Sequence, residues 1–141
     1  MKINQIRFTD NDFLLIRKIR KTVFSDEMGI LESEIFDKFD EISDHFIFTE
    51  KNHIIGSVRL RQIENYIKLE RMAIYSEFRL QNFGHDAIIQ IINHYKGKKI
   101  EKIVLDSIYD IRNFYKKCGF NEIGKMFDRV GLPHITMELS F

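Results

Sequence analysis

The 141 residues suit one domain around a single core, and a hydrophobic content of 44%, with 13 phenylalanines, is enough to fill it. Twenty-two basic residues against 21 acidic ones give a formal charge of +1, which excludes the general basic signature of a nucleic-acid-binding protein. One cysteine excludes an intrachain disulfide framework and a multi-cysteine zinc site; no apolar run approaches the ~20 residues of a membrane span, so neither nucleic acid nor membrane is an expected partner and the cytoplasm is the expected location.

Met1 to Gln5 leads straight into a strand, Ile3–Phe8, rather than into a signal-peptide core. Thr9 and Asp10 are cap candidates for a helix whose apolar positions include Phe13, Ile16, Ile19 and Val23, and Gly29 can end it. The acidic segment Glu32–Asp44 carries Ile35, Phe36 and Phe39, enough for a short helix or a packed loop. Phe46–Thr49 and Ile54–Leu60 read as a hairpin around Glu50–His53, followed by a strand at Tyr66–Ile74. Gly84, Ile88, Ile91, Ile92 and Tyr95 line one face of a helix. The lysine-rich stretch Lys96–Lys102 reads as a solvated turn before a strand at Ile100–Leu105. A short helix, Ile111–Lys117, is ended by Gly119, and strands at Phe120–Phe127 and Ile135–Leu139 complete the chain. This order predicts an α/β fold with a mixed central sheet and flanking helices, as one domain over residues 1–141.

The most informative segment runs from Glu70 to His85: it ends a strand, turns through a polar loop and opens a helix. Such a turn points backbone N–H groups at an anion. Arg79 can add a charge-assisted bond to a phosphate, Gln81 or Asn82 polar contacts, and Gly84 a close approach at the helix start. A second signal comes from Arg112 to Phe120, within which Asn113-Phe114-Tyr115 and Cys118-Gly119-Phe120 stand out.

Together with Val23–Glu27, the pair Asp37 and Asp40 ahead of His45, and the ending Gly131-Leu132-Pro133-His134-Ile135-Thr136-Met137, these segments resemble the GCN5-related N-acetyltransferase (GNAT) superfamily, in the small bacterial branch of ElaA-like and YjcF-like proteins. The resemblance spans nearly the whole chain. It implies an acyl-CoA N-acyltransferase fold and an enzyme that moves an acetyl group from acetyl-CoA, as cosubstrate, to a primary amine of a small molecule or peptide by direct attack. Met72, Ala73 and Ile74 correspond to the strand that presents main-chain groups to the pantetheine amides. Arg79-Leu80-Gln81-Asn82-Phe83-Gly84 corresponds to the pyrophosphate loop, with Leu80 and Asn82 standing where the family has glycines. Asn tolerates a left-handed backbone, whereas a positive φ at Leu80 would carry strain.

Tyr115 falls where many members carry the acid that protonates the thiolate leaving group, and Asn113 where many contact the coenzyme. For the general base the residues leave two candidates. Glu70 sits beside Arg71 on the central strand, where alternation sends their side chains to opposite faces. His134, expected just before the last strand, has the better intrinsic match to neutral pH. Asp37, Asp40 and His45 have no strong metal-ligand spacing and read as a hydrogen-bonded network shaping the acceptor side, with no metal. Arg59 and Arg71 either recognise an anionic acceptor or neutralise nearby carboxylates, and Cys118 reads as packing. A non-catalytic acyl-CoA-binding or sensing protein is the alternative. The acceptor and the oligomeric state are not determined by the sequence.

Overall fold

Alternation in the first half of the chain builds an antiparallel meander, and helical periodicity in the second half adds the crossover that turns the sheet mixed. The computed structural model describes residues 1–141. Strands β1 (Lys2–Ile6), β2 (Asp44–Glu50), β3 (His53–Ile63), β4 (Tyr66–Ile74), β5 (Lys102–Ile108), β6 (Asn121–Arg129) and β7 (Leu132–Ser140) form one sheet in the order β1-β2-β3-β4-β5-β7-β6. All neighbours are antiparallel except β4 and β5. The β2–β3 hairpin turns on Lys51 and Asn52, both at positive φ, as a tight two-residue connection matched to strand twist requires.

Helices cover both faces. On one face, α3 (Phe83–Tyr95) and α4 (Arg112–Lys117) pack through Ile88, Ile91, Tyr95 and Tyr115 onto Phe46, Phe48, Leu60 and Leu105. On the other, α1 (Phe13–Arg20) lays Phe13, Ile16 and Ile19 against Ile6, Ile47 and Ala73. Phe46, Ile47 and Phe48 thus divide between the two cores by strand alternation. The periodic apolar run continues past α1 into a π-helical segment, Lys21–Glu27, which ends at Met28 and Gly29. The acidic stretch becomes the one-turn helix α2 (Glu32–Ile35) and a 3₁₀ turn at Lys38–Glu41.

Two irregularities in β4 shape the molecule. The parallel ladder with β5 runs only from Tyr66–Leu69 against Lys102–Leu105; beyond it the strands part. On its other side, β4 pairs Ala73 with Ser57 and Glu70 with Arg59, so β4 holds one residue more than β3 between these pairs. The surplus is a bulge at Arg71, whose φ is 56°.

Several sequence expectations shift. Strand β5 begins at Lys102 and runs on to Ile108, because Ile100 serves as a buried anchor outside the strand. His134 lies inside β7, paired with Ile108 and Phe127, since β7 begins at Leu132 and accommodates Pro133 opposite Asp128. The N-terminus of α1 is capped by backbone carbonyls of Asp10, Asn11 and Asp12; the Asp10 carboxylate instead accepts from the Arg7 N–H.

Candidate active site

Where β4 and β5 part they enclose a cleft of about 450 Å³, floored by Glu70, Arg71 and Met72 on one side and by Asp106, Ser107 and Ile108 on the other. The β4 edge beyond Leu69 has no strand beside it, so its main-chain groups face this opening. Tyr115, from α4, and His134, from β7, line the same cleft.

Tyr115 is buried but for 6% of its surface, and its hydroxyl makes no hydrogen bond within the protein. Burial pushes the phenol well above the ordinary tyrosine range, with the nearby Cys118 adding to the shift, so it is a protonated donor at neutral pH. His134 Nδ1 lies 2.8 Å from the carbonyl oxygen of Leu132. A carbonyl only accepts, so Nδ1 carries a proton, and in the neutral ring the lone pair is therefore on Nε2. The ring stacks on Phe127 with centroids 5.9 Å apart, which fixes its plane.

Glu70 is differently placed. Its Oε1 accepts from Arg61 Nε at 2.8 Å and its Oε2 from Arg59 Nη2. Burial alone would raise its pKa, but Arg59 and Arg61 outweigh burial and hold the carboxyl below the usual range. The expectation that Glu70 and Arg71 point to opposite faces is corrected: the bulge breaks the alternation, both line the cleft, and their charged ends are 3.9 Å apart.

Behind Glu70 lies a connected charge network. Arg59, wholly buried, donates to Asp37 at 2.6 Å and Asp40 at 3.0 Å as well as to Glu70. Arg20, also wholly buried, donates to Asp40 at 2.9 Å. Arg71 donates to Asp37 and to the carbonyls of Glu34 and Ile35. His45 Nε2 donates to the Asp40 carbonyl at 2.8 Å, leaving Nδ1 to accept from Arg20 at 3.4 Å. Asp37, Asp40 and His45 are joined as the expected network, and Arg59 and Arg71 are its neutralising cations. Sequence reading passed over Arg20, although it sits seven residues after Phe13 on the apolar stripe of α1. It also passed over Arg61 and Asp106, which hydrophobic periodicity cannot flag. Cys118 is buried, and burial pushes its thiol up to about 11, in keeping with a packing role.

From the cleft, β4 leads through Ala73 and Ile74 into a 3₁₀ turn, Ser76–Phe78, and then the loop Arg79–Gly84. The N–H groups from Leu80 through His85 donate to no main-chain carbonyl, leaving a run of free donors at the start of α3. Leu80 and Asn82 both take left-handed backbone, φ 60° and 65°. Gly84 packs closely: a Cβ there would lie 3.1 Å from the Phe114 ring, which would have to give by a few tenths of an ångström. Phe83 is half-buried against the core, while Gln81 is exposed and bonds the Glu77 carbonyl. The Arg79 guanidinium is turned onto the Ile74 carbonyl and Glu27, each at 2.9 Å. Asn113 is exposed on the first turn of α4, outside the cleft lining.

A split sheet with an unpaired strand edge thus stands beside a loop of free N–H groups. A model of the acetyltransferase (GNAT) domain matches residues 17–141, and the chain belongs to that family. It is 29% identical over 140 residues to the Bacillus subtilis protein YyaT, covering 97% of this chain and 94% of that one. It is 25% identical over 120 residues to the B. subtilis N-acetyltransferase YjcF, covering 84% and 86%. Its fold matches the crystal structure of an acyl-CoA N-acyltransferase from Pseudomonas aeruginosa with a TM-score of 0.85 at 17% identity, over 99% of this chain and 100% of that one. A GNAT acetyltransferase from Elizabethkingia anophelis, solved with acetyl-CoA bound, matches with a TM-score of 0.76 at 14% identity, over 99% and 97%.

Proposed function

We propose that the protein is an N-acetyltransferase that takes the acetyl group of acetyl-CoA to a primary amine of a small molecule or peptide by direct attack. The observation that carries this reading is the cleft between β4 and β5, into which a protonated phenol with no protein partner and an imidazole with a free Nε2 converge. Met72, Ala73 and Ile74 would hold the pantetheine arm through main-chain groups. The free N–H groups of Leu80, Gln81, Asn82, Phe83 and Gly84 would hold the pyrophosphate, with Arg79 and Asn113 flanking it. The acetyl-CoA-bound relative of the same fold supports the choice of cosubstrate.

His134 Nε2 takes a proton from the acceptor ammonium, directly or through water, and frees its lone pair. The amine nitrogen then bonds to the thioester carbonyl carbon, and a main-chain N–H of the unpaired β4 edge steadies the oxyanion. As the C–S bond breaks, the electron pair leaves on sulfur and the Tyr115 phenol delivers the proton; the adduct nitrogen, still carrying one proton too many, gives it up through water and so restores the phenol. Amide and free thiol are the products, without a covalent enzyme intermediate. Glu70 serves as a positioning residue: with both oxygens on guanidiniums it is a poor base, but it fixes Arg61 on the cleft floor and ties it to the buried Arg59 behind.

We also assign the chain, as a single domain over residues 1–141 acting in the cytoplasm, to the ElaA-like and YjcF-like branch, on the strength of the Gly131–Met137 ending. A second reading, an acyl-CoA-binding protein without turnover, draws on Arg79, whose charge is already engaged by Glu27. Calorimetry with coenzyme A combined with amine-dependent thiol release separates the two. Binding together with thiol release supports the enzyme, binding without release supports the sensor, and no binding sinks both.

A further inference from the structure

Of the carboxylates that line the cleft or stand behind it, only that of the exposed Glu34 has no side-chain partner. Asp37 is bonded by Arg59 and Arg71, Asp40 by Arg20 and Arg59, and Glu70 by Arg59 and Arg61. Across the split, Asp106 accepts from Lys68 and Thr136 and pairs with Arg129. None of these is left to receive an ammonium group from the cleft.

The guanidiniums are not equally used. Arg61 gives only its Nε to the protein, while Phe39 stacks against the guanidinium at 3.9 Å; neither of its Nη atoms is hydrogen-bonded. Arg71 uses Nε and Nη2, leaving Nη1 with Glu70 alone at 3.9 Å, beyond hydrogen-bond reach. Both side chains line the cleft, with 20% and 23% of their surface exposed. They flank the same carboxylate from neighbouring strands, and Lys68 lies directly across the ladder from Arg61. The network holds four guanidiniums, of Arg20, Arg59, Arg61 and Arg71, against the carboxylates of Asp37, Asp40 and Glu70. Its histidine, His45, is in the neutral form that accepts from Arg20, so the buried network holds one guanidinium more than its carboxylates, while the charged side chains that line the cleft balance, Arg61, Lys68, Arg71 and Arg129 against Glu34, Asp37, Glu70 and Asp106. The opposite wall, from Phe24, Met28 and Ile30, is apolar.

Resting on the acetyltransferase reading, we propose that the acceptor is an amine that carries a carboxylate. The carboxylate docks on the free Nη groups of Arg61 and Arg71, and an apolar body lies against Phe24, Met28 and Ile30. Guanidinium forks suit a carboxylate better than any other group on this floor. A polycationic amine, by contrast, would meet the guanidiniums of Arg61 and Arg71 and the ammonium of Lys68 beside Glu70, with the exposed Glu34 as the one unpaired carboxylate of the lining.

The test uses the intact protein with acetyl-CoA and matched acceptors: leucine, 3-aminobutyrate and 4-aminobutyrate, each against its carboxamide, with spermidine as the polycation. At least one acid should exceed its amide by about 10–100-fold in kcat/KM, the worth of one charge-assisted contact, mainly through KM. Arg61→Gln should collapse that ratio, and Arg61→Lys, which keeps the charge, should retain part of it. Amides or spermidine turning over as well as the acids overturns the proposal. Titration of N-acetylleucine and N-acetylleucinamide gives a readout independent of turnover. Tighter binding of the acid, lost in Arg61→Gln, with no thiol release from any amine, would sink the enzyme reading and keep the anion site. Thiol release indifferent to the carboxylate, with equal binding of both products, would do the reverse.

Discussion

Arg20 and Arg59 share one oxygen: the Nη1 atoms of both guanidiniums bond Oδ1 of Asp40, at 2.9 and 3.0 Å, and neither arginine has exposed surface. One carboxylate therefore bridges two desolvated cations from different elements, α1 and β3, and is the only carboxylate on Arg20. Asp40→Asn keeps the size of the side chain but removes the charge. Its expected cost is about 3–5 kcal/mol, the usual result of stripping one partner from a buried pair, read from urea unfolding at neutral pH. A loss within experimental error would mean that the arginines are compensated elsewhere.

The same network gives stability a pH dependence through His45. Burial lowers its pKa, and the neighbouring Arg20 adds to the shift despite the Asp40 carbonyl. With the folded value below the unfolded one, the stabilisation is complete above the ordinary histidine range and is lost as pH falls through it toward the folded value. Unfolding free energy should therefore decline between neutral and mildly acidic pH, and His45→Gln should flatten that decline. An equal decline in the variant would place its origin in other groups.

Tyr115→Phe preserves the ring that packs edge-on against Phe114 and Phe120 while removing the only polar atom. Turnover should fall by about 10²–10⁴-fold with coenzyme affinity largely kept. Because burial raises the phenol, any alkaline limb due to Tyr115 in the wild type should lie above the ordinary tyrosine range. Steady-state kinetics across pH, with chemistry rate-limiting, decides the matter; unchanged kcat removes Tyr115 from the mechanism.

His134→Gln retains a donor for the Leu132 carbonyl but has no titrating nitrogen. The acidic limb of kcat/KM should disappear and the rate should drop by about 10²-fold or more. If the limb survives in His134→Gln and vanishes in Glu70→Gln, the base is Glu70.

Leu80 is fully exposed and left-handed, so its side chain contributes no packing to offset the strain of φ 60°. Leu80→Gly relieves a backbone cost of about 1–2 kcal/mol and loses part of it to unfolded-state entropy, for a net gain of up to ~1 kcal/mol. Thermal unfolding should show the gain, and coenzyme binding should hold or improve. A destabilised glycine variant would mean that the loop tolerates leucine by some other contact.

The strand Tyr66–Ile74 and the helix that begins at Gly84 were legible because alternation and helical period were clean there, and the helix differs only by starting at Phe83. The glycine-to-asparagine exchange at Asn82 was legible too, since αL tolerance is a property of the residue itself. The bulge at Arg71 was not: nothing local marks a surplus residue when the partner strand sets the register, and strict alternation set Glu70 and Arg71 on opposite faces where both line the cleft. His134 was placed ahead of its strand because Pro133 reads as a break, yet the strand accommodates it opposite Asp128. The buried role of Arg20 was recoverable from its position on the α1 stripe. The partnership of Arg61 with Glu70 was not, because it depends on a cross-strand diagonal.

The short parallel ladder between β4 and β5 joins two smaller sheets along a seam of Tyr66–Leu69 against Lys102–Leu105. The aperture of the cleft is set by the angle at that seam, and the seam is built from buried Ile67, Leu69, Ile103 and Leu105. A change of volume at Ile67 or Ile103, neither of which lines the cleft, would alter how wide the mouth stands without touching a bound molecule. On the proposed function, the size of acceptor admitted would drift through the core, while the main-chain groups of the unpaired β4 edge keep their identity whatever side chains they carry.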